Sequence, residues 1–256
     1  MRKSGVSRRP RKVCDSGVRG AAHSRAYTVL KEAVLAGTFV AGEVVTLRSL
    51  AERLSASEMP VREALRRLTS EGAFEALPNR SARVPSPDRR QVGQILELRA
   101  YLEGRAAALA AGNMSLVQID YLRQLQHDID HCIETGDPRA HTAINRAFHF
   151  EIVRSADNPV LTPLIETLWL RSAPFIPNTV NLLAGRPSLC RRLGGSHHAR
   201  LIQALQARDP VGAEEAMQHD ILGLSTLPGF WESLDRGAAH VNRHASHRRP
   251  QTPDRY

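Results

Sequence analysis

Two arginines one helical turn apart give the clearest indication of chemistry in this sequence. Arg62 and Arg66 are four residues apart, so on a helix they share one face and direct two guanidinium groups toward the same partner. A guanidinium makes paired hydrogen bonds to phosphate or to a guanine edge, which makes these residues candidates for DNA contact. An ordinary surface helix with solvated arginines has the same spacing, and this alternative stays open from the spacing alone.

Three short helices and a hairpin are predicted around these arginines. On the third helix, Val61, Leu65 and Leu68 form an apolar face opposite the arginines, Ser57 suits the N-cap, and Gly72 follows the last turn. Two short strands separated by a turn come next. The sequence therefore predicts a winged helix-turn-helix over residues 21–87, with helices near 26–37, 47–54 and 58–71 and strands near 73–77 and 82–84.

Beyond the stiff linker Pro85-Ser86-Pro87, only helical patterns are found. The fourth of these helices contains Pro174 and Pro177, which predicts a kink around 173–178. The fold class expected is mainly α, an N-terminal winged helix-turn-helix followed by an all-α six-helix bundle over residues 88–228. The predicted helices span 88–111, 115–135, 138–156, 158–184, 187–208 and 210–226.

Composition excludes several classes of protein. The chain has 256 residues, of which 42% are hydrophobic and 24% charged, as in globular proteins. No run approaches the roughly 18 apolar residues of a membrane span, and no apolar stretch follows the basic N-terminus as it would in a secretory signal. Three widely spaced cysteines without a CxxC pair argue against a disulfide scaffold or zinc finger and favour a cytoplasmic protein.

Positive charge is concentrated at the two ends of the chain. Residues 1–20 carry seven Lys or Arg against one Asp, and residues 236–256 carry five against one. Both are predicted to be disordered, as a basic arm over 1–20 and a basic tail over 229–256. The arm is a candidate for nonspecific phosphate contacts, in which case its deletion should flatten the salt dependence of DNA binding.

The N-terminal motifs resemble the DNA-binding domain of the GntR family of bacterial transcription regulators. The resemblance rests on Leu50-Ala51-Glu52-Arg53-Leu54, on Pro60-Val61-Arg62-Glu63-Ala64-Leu65-Arg66-Arg67-Leu68 and on Glu71-Gly72. Two departures concern Glu58, which stands where the family usually carries a guanine-reading arginine, and Ser81, which replaces the usual wing glycine. A carboxylate at Glu58 would repel phosphate, or would accept a hydrogen bond from a cytosine amino group. The DNA-contacting set is thus predicted as Arg48, Ser57, Glu58, Arg62, Arg66, Arg80 and Ser81.

The helical half is similar to the FCD effector domain of the FadR-type branch of that family. The matching segments, in order, are 96–104, 145–150, 156–159, 198–205 and 216–221. Many members hold a divalent metal there with an Asp and a His from one helix and two His from the last two helices. The resemblance implies a zinc, manganese or nickel site. Its four positions here are Asn145, His149, His198 and Asp220.

This metal set departs from the family pattern twice, because Asn145 stands where Asp is usual and Asp220 where the last His is usual. Asn145 is a neutral, weaker donor, whereas Asp220 remains a competent ligand. His149 has the alternative interpretation of a buried, hydrogen-bonded histidine. Arg99 matches a family position that faces the effector cavity, where it would bind a ligand carboxylate, and the alternative for it is an i, i+4 ion pair with Glu103.

Three functions are considered. The favoured one is a metabolite-responsive transcription regulator, by default a repressor, which binds its double-stranded DNA operator as a homodimer and an organic acid in the helical bundle. A metalloenzyme is disfavoured because the chain has no HExxH, phosphate-binding loop or GxSxG motif. The serious alternative is a degenerate relative that has lost specific DNA binding because of Glu58 and acts as a ligand-binding protein.

Overall fold

A computed structural model describes residues 16–79, 81–86, 88–175, 182 and 195–235 of the chain. The described residues form a small α/β unit followed by a helical bundle, as the sequence predicts. The N-terminal unit runs in the order α1 (Ser16–Leu35), β1 (Val44–Thr46), α2 (Leu47–Arg53), α3 (Glu58–Ser70), β2 (Glu75–Leu77) and β3 (Ser81–Arg83).

A three-stranded antiparallel sheet supports the wing, in the order β1-β3-β2. Ala82 in the central strand is opposite Val45 on one side and Ala76 on the other. Asn79 takes the left-handed conformation at the tip of the wing, with φ at 61°, a role that Asn tolerates better than most residues. Strand β1 was not predicted, because three residues give too short a pattern to be recognised.

Both segments that were predicted to be disordered contain helical residues, so their predicted boundaries were wrong. Helix α1 begins at Ser16, inside the arm assigned to 1–20, because each residue added to an existing helix gains one hydrogen bond at little further cost. At the other end, residues 230–235 are helical, within the tail assigned to 229–256. Phe230 is only 1% exposed, and Trp231 is close to Gly93 in the bundle, so this segment extends the core.

The described part of the chain contains six bundle helices of 12 or more residues, which are α4 (Arg89–Asn113), α5 (Leu116–Thr135), α6 (Pro138–Ser155), α7 (Leu161–Ser172), α8 (Ser196–Ala207) and α9 (Pro210–Gly223). Helix α4 packs against α6, α7 and α9, while α5 pairs with α6 and α8 pairs with α9. Reciprocal capping hydrogen bonds, from Asp88 and Gln91 and from Ser115 and Gln118, begin α4 and α5.

The helix predicted over 158–184 ends before Pro174 and Pro177. Helix α7 ends at Ser172 and a turn follows as far as Phe175, whereas the prediction ran to residue 184. Helix α8, predicted from residue 187, is described from Ser196 onward. The rest of the predicted kink region and the residues before Gly195 lie outside the described residues, apart from residue 182.

One hydrophobic core joins the DNA-binding unit to the bundle. Leu30 of α1 and Leu68 of α3 are fully buried in the same cluster as Ile165 and Trp169 of α7. Helix α7 therefore forms part of the boundary with the N-terminal unit, together with α6, whose Arg146 pairs with Glu32 of α1. None of the described helices has a stretch long and apolar enough to cross a membrane.

Candidate functional site

Helix α3 has the two faces that the sequence predicts. Val61 and Leu68 are fully buried against α1 and α2, while the side chains of Arg62 and Arg66 are 47% and 78% exposed. A single helical segment thus presents guanidinium groups to solvent from a rigidly packed base. This arrangement can enter a DNA major groove with its N-terminal turn first.

The other predicted DNA contacts lie around this helix. Arg48 on α2 is 83% exposed and ion-paired with Glu52, a weak interaction that phosphate can replace. Ser57 occupies the N-cap of α3, yet its side chain makes no capping hydrogen bond there. Ser81 begins β3, and its hydroxyl donates to the carbonyl of Pro78 within the wing. Arg80 lies outside the described residues.

Glu58 is on the same exposed surface as Arg62. It is the first residue of α3 and its carboxylate oxygen lies 4.0 Å from the Arg62 guanidinium. In the free protein the carboxylate therefore neutralises part of the charge that Arg62 would offer to DNA. No described contact commits Glu58 to a buried structural role, since its side chain is half exposed.

The second site is a cluster of His149, His198 and Asp220 in the centre of the bundle. One ligand atom from each lies within 4.8 Å of those of the other two. Asp220 on α9 stands between the two histidines, with Oδ2 3.2 Å from His149 Nε2 and Oδ1 3.4 Å from His198 Nε2. Helices α6, α8 and α9 supply one side chain each, which requires the antiparallel pairing of α8 with α9.

Two further side chains fix the orientation of the imidazole rings. Glu103 on α4 accepts a hydrogen bond from His149 Nδ1 at 2.9 Å, and Gln126 on α5 accepts one from His198 Nδ1 at 2.5 Å. Because both Nδ1 atoms are used in this way, both Nε2 atoms face Asp220. A hydrogen bond at the remote nitrogen is the usual arrangement for a histidine that binds a metal through the other nitrogen.

Buried charge dominates the electrostatics of the cluster. Burial lowers the pKa of His149, but its hydrogen bonds to Asp220 and Glu103 outweigh this effect and raise the pKa to about 9. Burial raises the pKa of the Asp220 carboxyl, yet the neighbouring His198 and His149 bring it well below its usual value. In the metal-free protein His149 therefore carries a proton that compensates the buried carboxylates, and a metal ion would displace that proton.

The residues present fit a divalent metal ion. His198 is 2% exposed and its Nε2 is buried without a well-aligned hydrogen bond, an unfavourable state that a bound metal ion would relieve. Two imidazoles and a carboxylate form a mixed donor set that suits zinc, manganese or nickel. Bound there, the ion would supply a positive centre that attracts a carboxylate ligand. Asn145 is half-buried one turn before His149, and its predicted ligand role stays a prediction.

His141, which was not predicted as a site residue, belongs to the same neighbourhood. Its Nδ1 is buried without a partner, and desolvation followed by the charge of His198 lowers its pKa to about 4. The spacing of His141, Asn145 and His149 at i, i+4 and i+8 on α6 was the signal that would have revealed it. His141 thus brings a neutral imidazole to the edge of the cluster.

Arg99 takes part in an internal ion pair. Its Nε donates to Glu103 at 2.7 Å, and its guanidinium carbon lies 3.9 Å from the centre of the Trp169 ring. This is the ion pair that the sequence analysis left open as the alternative. The role of Arg99 in binding an effector carboxylate stays a prediction.

Comparison with known proteins assigns both halves of the chain. The profile for bacterial regulatory proteins of the gntR family matches residues 22–84, and that of the FCD domain matches residues 94–223. The chain belongs to the GntR family, with an FCD domain. As a GntR/FCD regulator it is a DNA-binding transcription regulator and not an enzyme.

Individual relatives agree with this assignment. The regulator is 32% identical over 199 residues to the HTH-type transcriptional regulator McbR of Escherichia coli strain K12, covering 75% of this chain and 87% of that protein. It is 29% identical to a probable D-xylose utilization operon transcriptional repressor of Paenarthrobacter nicotinovorans, covering 72% and 79%. The solved structure of E. coli McbR/YncC superposes with a TM-score of 0.70 at 27% identity, covering 88% of this chain and 98% of that one.

Proposed function

We propose that this GntR/FCD regulator, of the FadR-type branch, is a metabolite-responsive repressor that binds its operator as a homodimer. A divalent ion held by His149, His198 and Asp220 binds a small organic acid in the helical domain. The acid then alters how the two DNA-binding units of the dimer are placed. Such a response requires that the acid bind one arrangement of the dimer more tightly than the other.

The exposed arginine face of α3 carries the DNA-binding part of this proposal. Arg62 and Arg66 project from a helix whose opposite face is fixed in the core, so binding orders few additional groups. A homodimer is proposed because a winged helix reads one half-site, and two-fold symmetry then doubles the contacts with DNA.

The buried cluster supports the effector part. Three ligand atoms converge within 4.8 Å, two of them on rings oriented by Glu103 and Gln126. His141 adds a neutral imidazole whose Nδ1 has no partner in the described structure, and an oxygen of a metal-bound acid would provide one. An organic acid is therefore the class of effector that matches both a cation and this imidazole.

The test is binding of the purified protein to a duplex taken from immediately upstream of its own gene. Fluorescence anisotropy at two salt concentrations compares this duplex with a scrambled one. Arg62→Ala should weaken binding to the upstream duplex by roughly 5-fold to 150-fold, the effect of losing one base-reading arginine. The matched control is Arg105→Ala, an exposed arginine on α4 in the bundle, which should leave the affinity unchanged. Equal binding of both duplexes that is indifferent to Arg62 would contradict the proposal.

The second candidate function is a degenerate regulator that binds ligand without specific DNA recognition. The observation in its favour is Glu58, which lies 4.0 Å from Arg62 and reduces the positive charge at the start of α3. Glu58→Arg discriminates between the two functions. Tight binding that is gained in this variant and absent in the parent would favour the degenerate regulator.

A further inference from the structure

A buried ion pair on α4 links the candidate metal site to the boundary with the DNA-binding unit. The side chains of Arg99 and Glu103 are only 3% and 0% exposed. Burying two charges is costly, and a pair of apolar side chains of similar size would often give a more stable protein. The geometry of the pair indicates a role other than stabilising the fold.

Glu103 acts on the metal site through His149. One of its oxygens accepts a hydrogen bond from Arg99 and the other accepts one from His149 Nδ1 at 2.9 Å. The second hydrogen bond holds the imidazole in one tautomer and one orientation, with Nε2 toward Asp220. Because the carboxylate is fixed by Arg99 from its other side, a displacement of the His149 ring is transmitted directly to the Arg99 guanidinium.

Arg99 continues the connection to α7. Its guanidinium lies 3.9 Å from the centre of the Trp169 ring, a cation–π contact in a dry environment. Trp169 is 2% exposed and its ring also meets the His149 ring edge-on at 5.4 Å. Both ends of the buried pair therefore contact side chains that touch each other, so His149, Glu103, Arg99 and Trp169 form one packed group.

Helix α7 in turn contacts the DNA-binding unit at two charged points. Glu166 pairs with Lys31 of α1 at 2.7 Å, and Arg171 packs on Gly72 while its Nε lies 3.5 Å from the carbonyl of Glu71. Glu71 is the C-cap residue that follows the recognition helix α3. A small shift of α7 is thus passed to both the first helix and the recognition helix.

We infer that Glu103 is the positioning residue for the metal ligand His149, and that Arg99 couples this ligand through Trp169 and α7 to the recognition helix. The inference rests on the proposed function, since it assigns the route by which occupancy of the His149, His198 and Asp220 site changes DNA affinity. It also gives Arg99 a role different from binding the effector.

The test is a thermodynamic cycle with zinc and DNA. For the full-length protein, the Kd for the upstream duplex is measured with and without saturating zinc, and the Kd for zinc is measured separately by competition with a chromophoric chelator. Zinc should change the DNA Kd of the parent by between about 5-fold and 150-fold. In Arg99→Met, measured at a zinc concentration that saturates the variant according to its own zinc Kd, this change should fall below about twofold. Arg105→Met on the exposed side of α4 is the matched control and should retain the full change.

The positioning role is tested with Glu103→Gln, which keeps the shape of the side chain and removes its charge. Zinc affinity should fall by roughly 10-fold to 100-fold. The downfield proton resonance of His149 Nδ1–H, which a buried carboxylate acceptor produces, should move upfield. A variant that is merely less stable would lower the melting temperature without moving this resonance.

If Arg99→Met unfolds, Arg99→Lys provides the same cycle, because it retains the ion pair with Glu103 and loses the planar stacking on Trp169. Its zinc effect on DNA affinity should also shrink.

Each outcome is decisive. Retention of the full zinc effect in both Arg99 variants would overturn the inference, as would an unchanged His149 resonance in Glu103→Gln. If the parent binds zinc but its DNA affinity does not respond, the coupling route is refuted while the metal site stands. If the parent binds no zinc, the metal site of the proposed function fails first, and the separate zinc titration identifies that case.

Discussion

Removal of the negative charge at Glu58 should strengthen DNA binding. Its carboxylate lies 4.0 Å from the Arg62 guanidinium, and both side chains are about half exposed. Two unit charges at that separation interact by about 1 kcal/mol in water, which corresponds to roughly a fivefold change in an equilibrium constant. Glu58→Gln frees Arg62 from this competing partner and removes a like charge from the DNA phosphates. We therefore expect an affinity gain of about fivefold at low salt, on both the upstream and the scrambled duplex.

The salt dependence provides the sharper assay. Both side chains are solvated, so the gain should shrink as the Debye length falls to about 8 Å near physiological ionic strength. The magnitude of the slope of log K against log salt should rise by about one, the value for one additional cation acting on phosphate. Glu97→Gln, the same change on the exposed surface of α4, is the control for net charge and should alter neither quantity.

One result would refute this reasoning. Should Glu58→Gln weaken binding to the upstream duplex and leave the scrambled duplex unchanged, Glu58 would be reading a base through its carboxylate. A cytosine amino group is the partner that such a carboxylate prefers in the major groove. The specific loss would then be about 1–3 kcal/mol, opposite in sign to the charge effect.

Three further predictions concern stability and the N-terminal arm. Gly72→Ala should lower the free energy of unfolding by at least about 1–2 kcal/mol, because φ is +80° and the new methyl group would lie 2.7 Å from the Arg171 Nε. Gly112→Ala, in open space on α4, should raise it by about 0.5–1 kcal/mol in the same urea titrations, and a loss equal to that of Gly72 would contradict the argument. The raised pKa of His149 stabilises the metal-free protein fully below pH 6.5, and this contribution should be lost as the pH rises through about 9. Urea unfolding in EDTA below pH 6.5 and above pH 9 should give a larger contribution of His149 to the free energy of unfolding at the lower pH. The same contribution at both pH values would mean that His149 is neutral. Deletion of residues 1–15, which leaves α1 intact, should flatten the salt dependence of DNA binding if the arm contacts phosphate, and an unchanged slope would remove the arm from the interface.

The elements of the fold were predictable because their signals are local. Apolar spacing, a suitable N-cap and punctuation by Gly and Pro identified α3 and the wing strands β2 and β3, and the six bundle helices were identified in the same way. Errors occurred where the deciding force is not local. The helical segment over 230–235 is stabilised by burial of Phe230 against the bundle, and a basic tail gives little sign of this. The three residues of β1 become a strand only because β3 offers them hydrogen bonds.

In the candidate sites, too, some features were predictable from the sequence and others depend on tertiary packing. The resemblance to the GntR and FCD domains named Arg62 as a DNA contact and Asn145, His149, His198 and Asp220 as a metal set. The helical spacing of four residues and the short turn between α8 and α9 are compatible with that set. The sequence alone did not decide which nitrogen of His149 faces Asp220, or whether Arg99 turns toward a ligand or toward Glu103.

The tertiary structure decides the orientation of His149 and the partner of Arg99. Glu103, on a helix distant in sequence from α6, provides the buried hydrogen bond that orients His149, and Trp169 on α7 provides the ring on which Arg99 rests. The sequence by itself determined the family, the two domains and the residue types of both sites. Only the packing of α4 against α6 and α7 decided how they are connected, because the energies of buried charges depend on neighbours that are far apart in the chain.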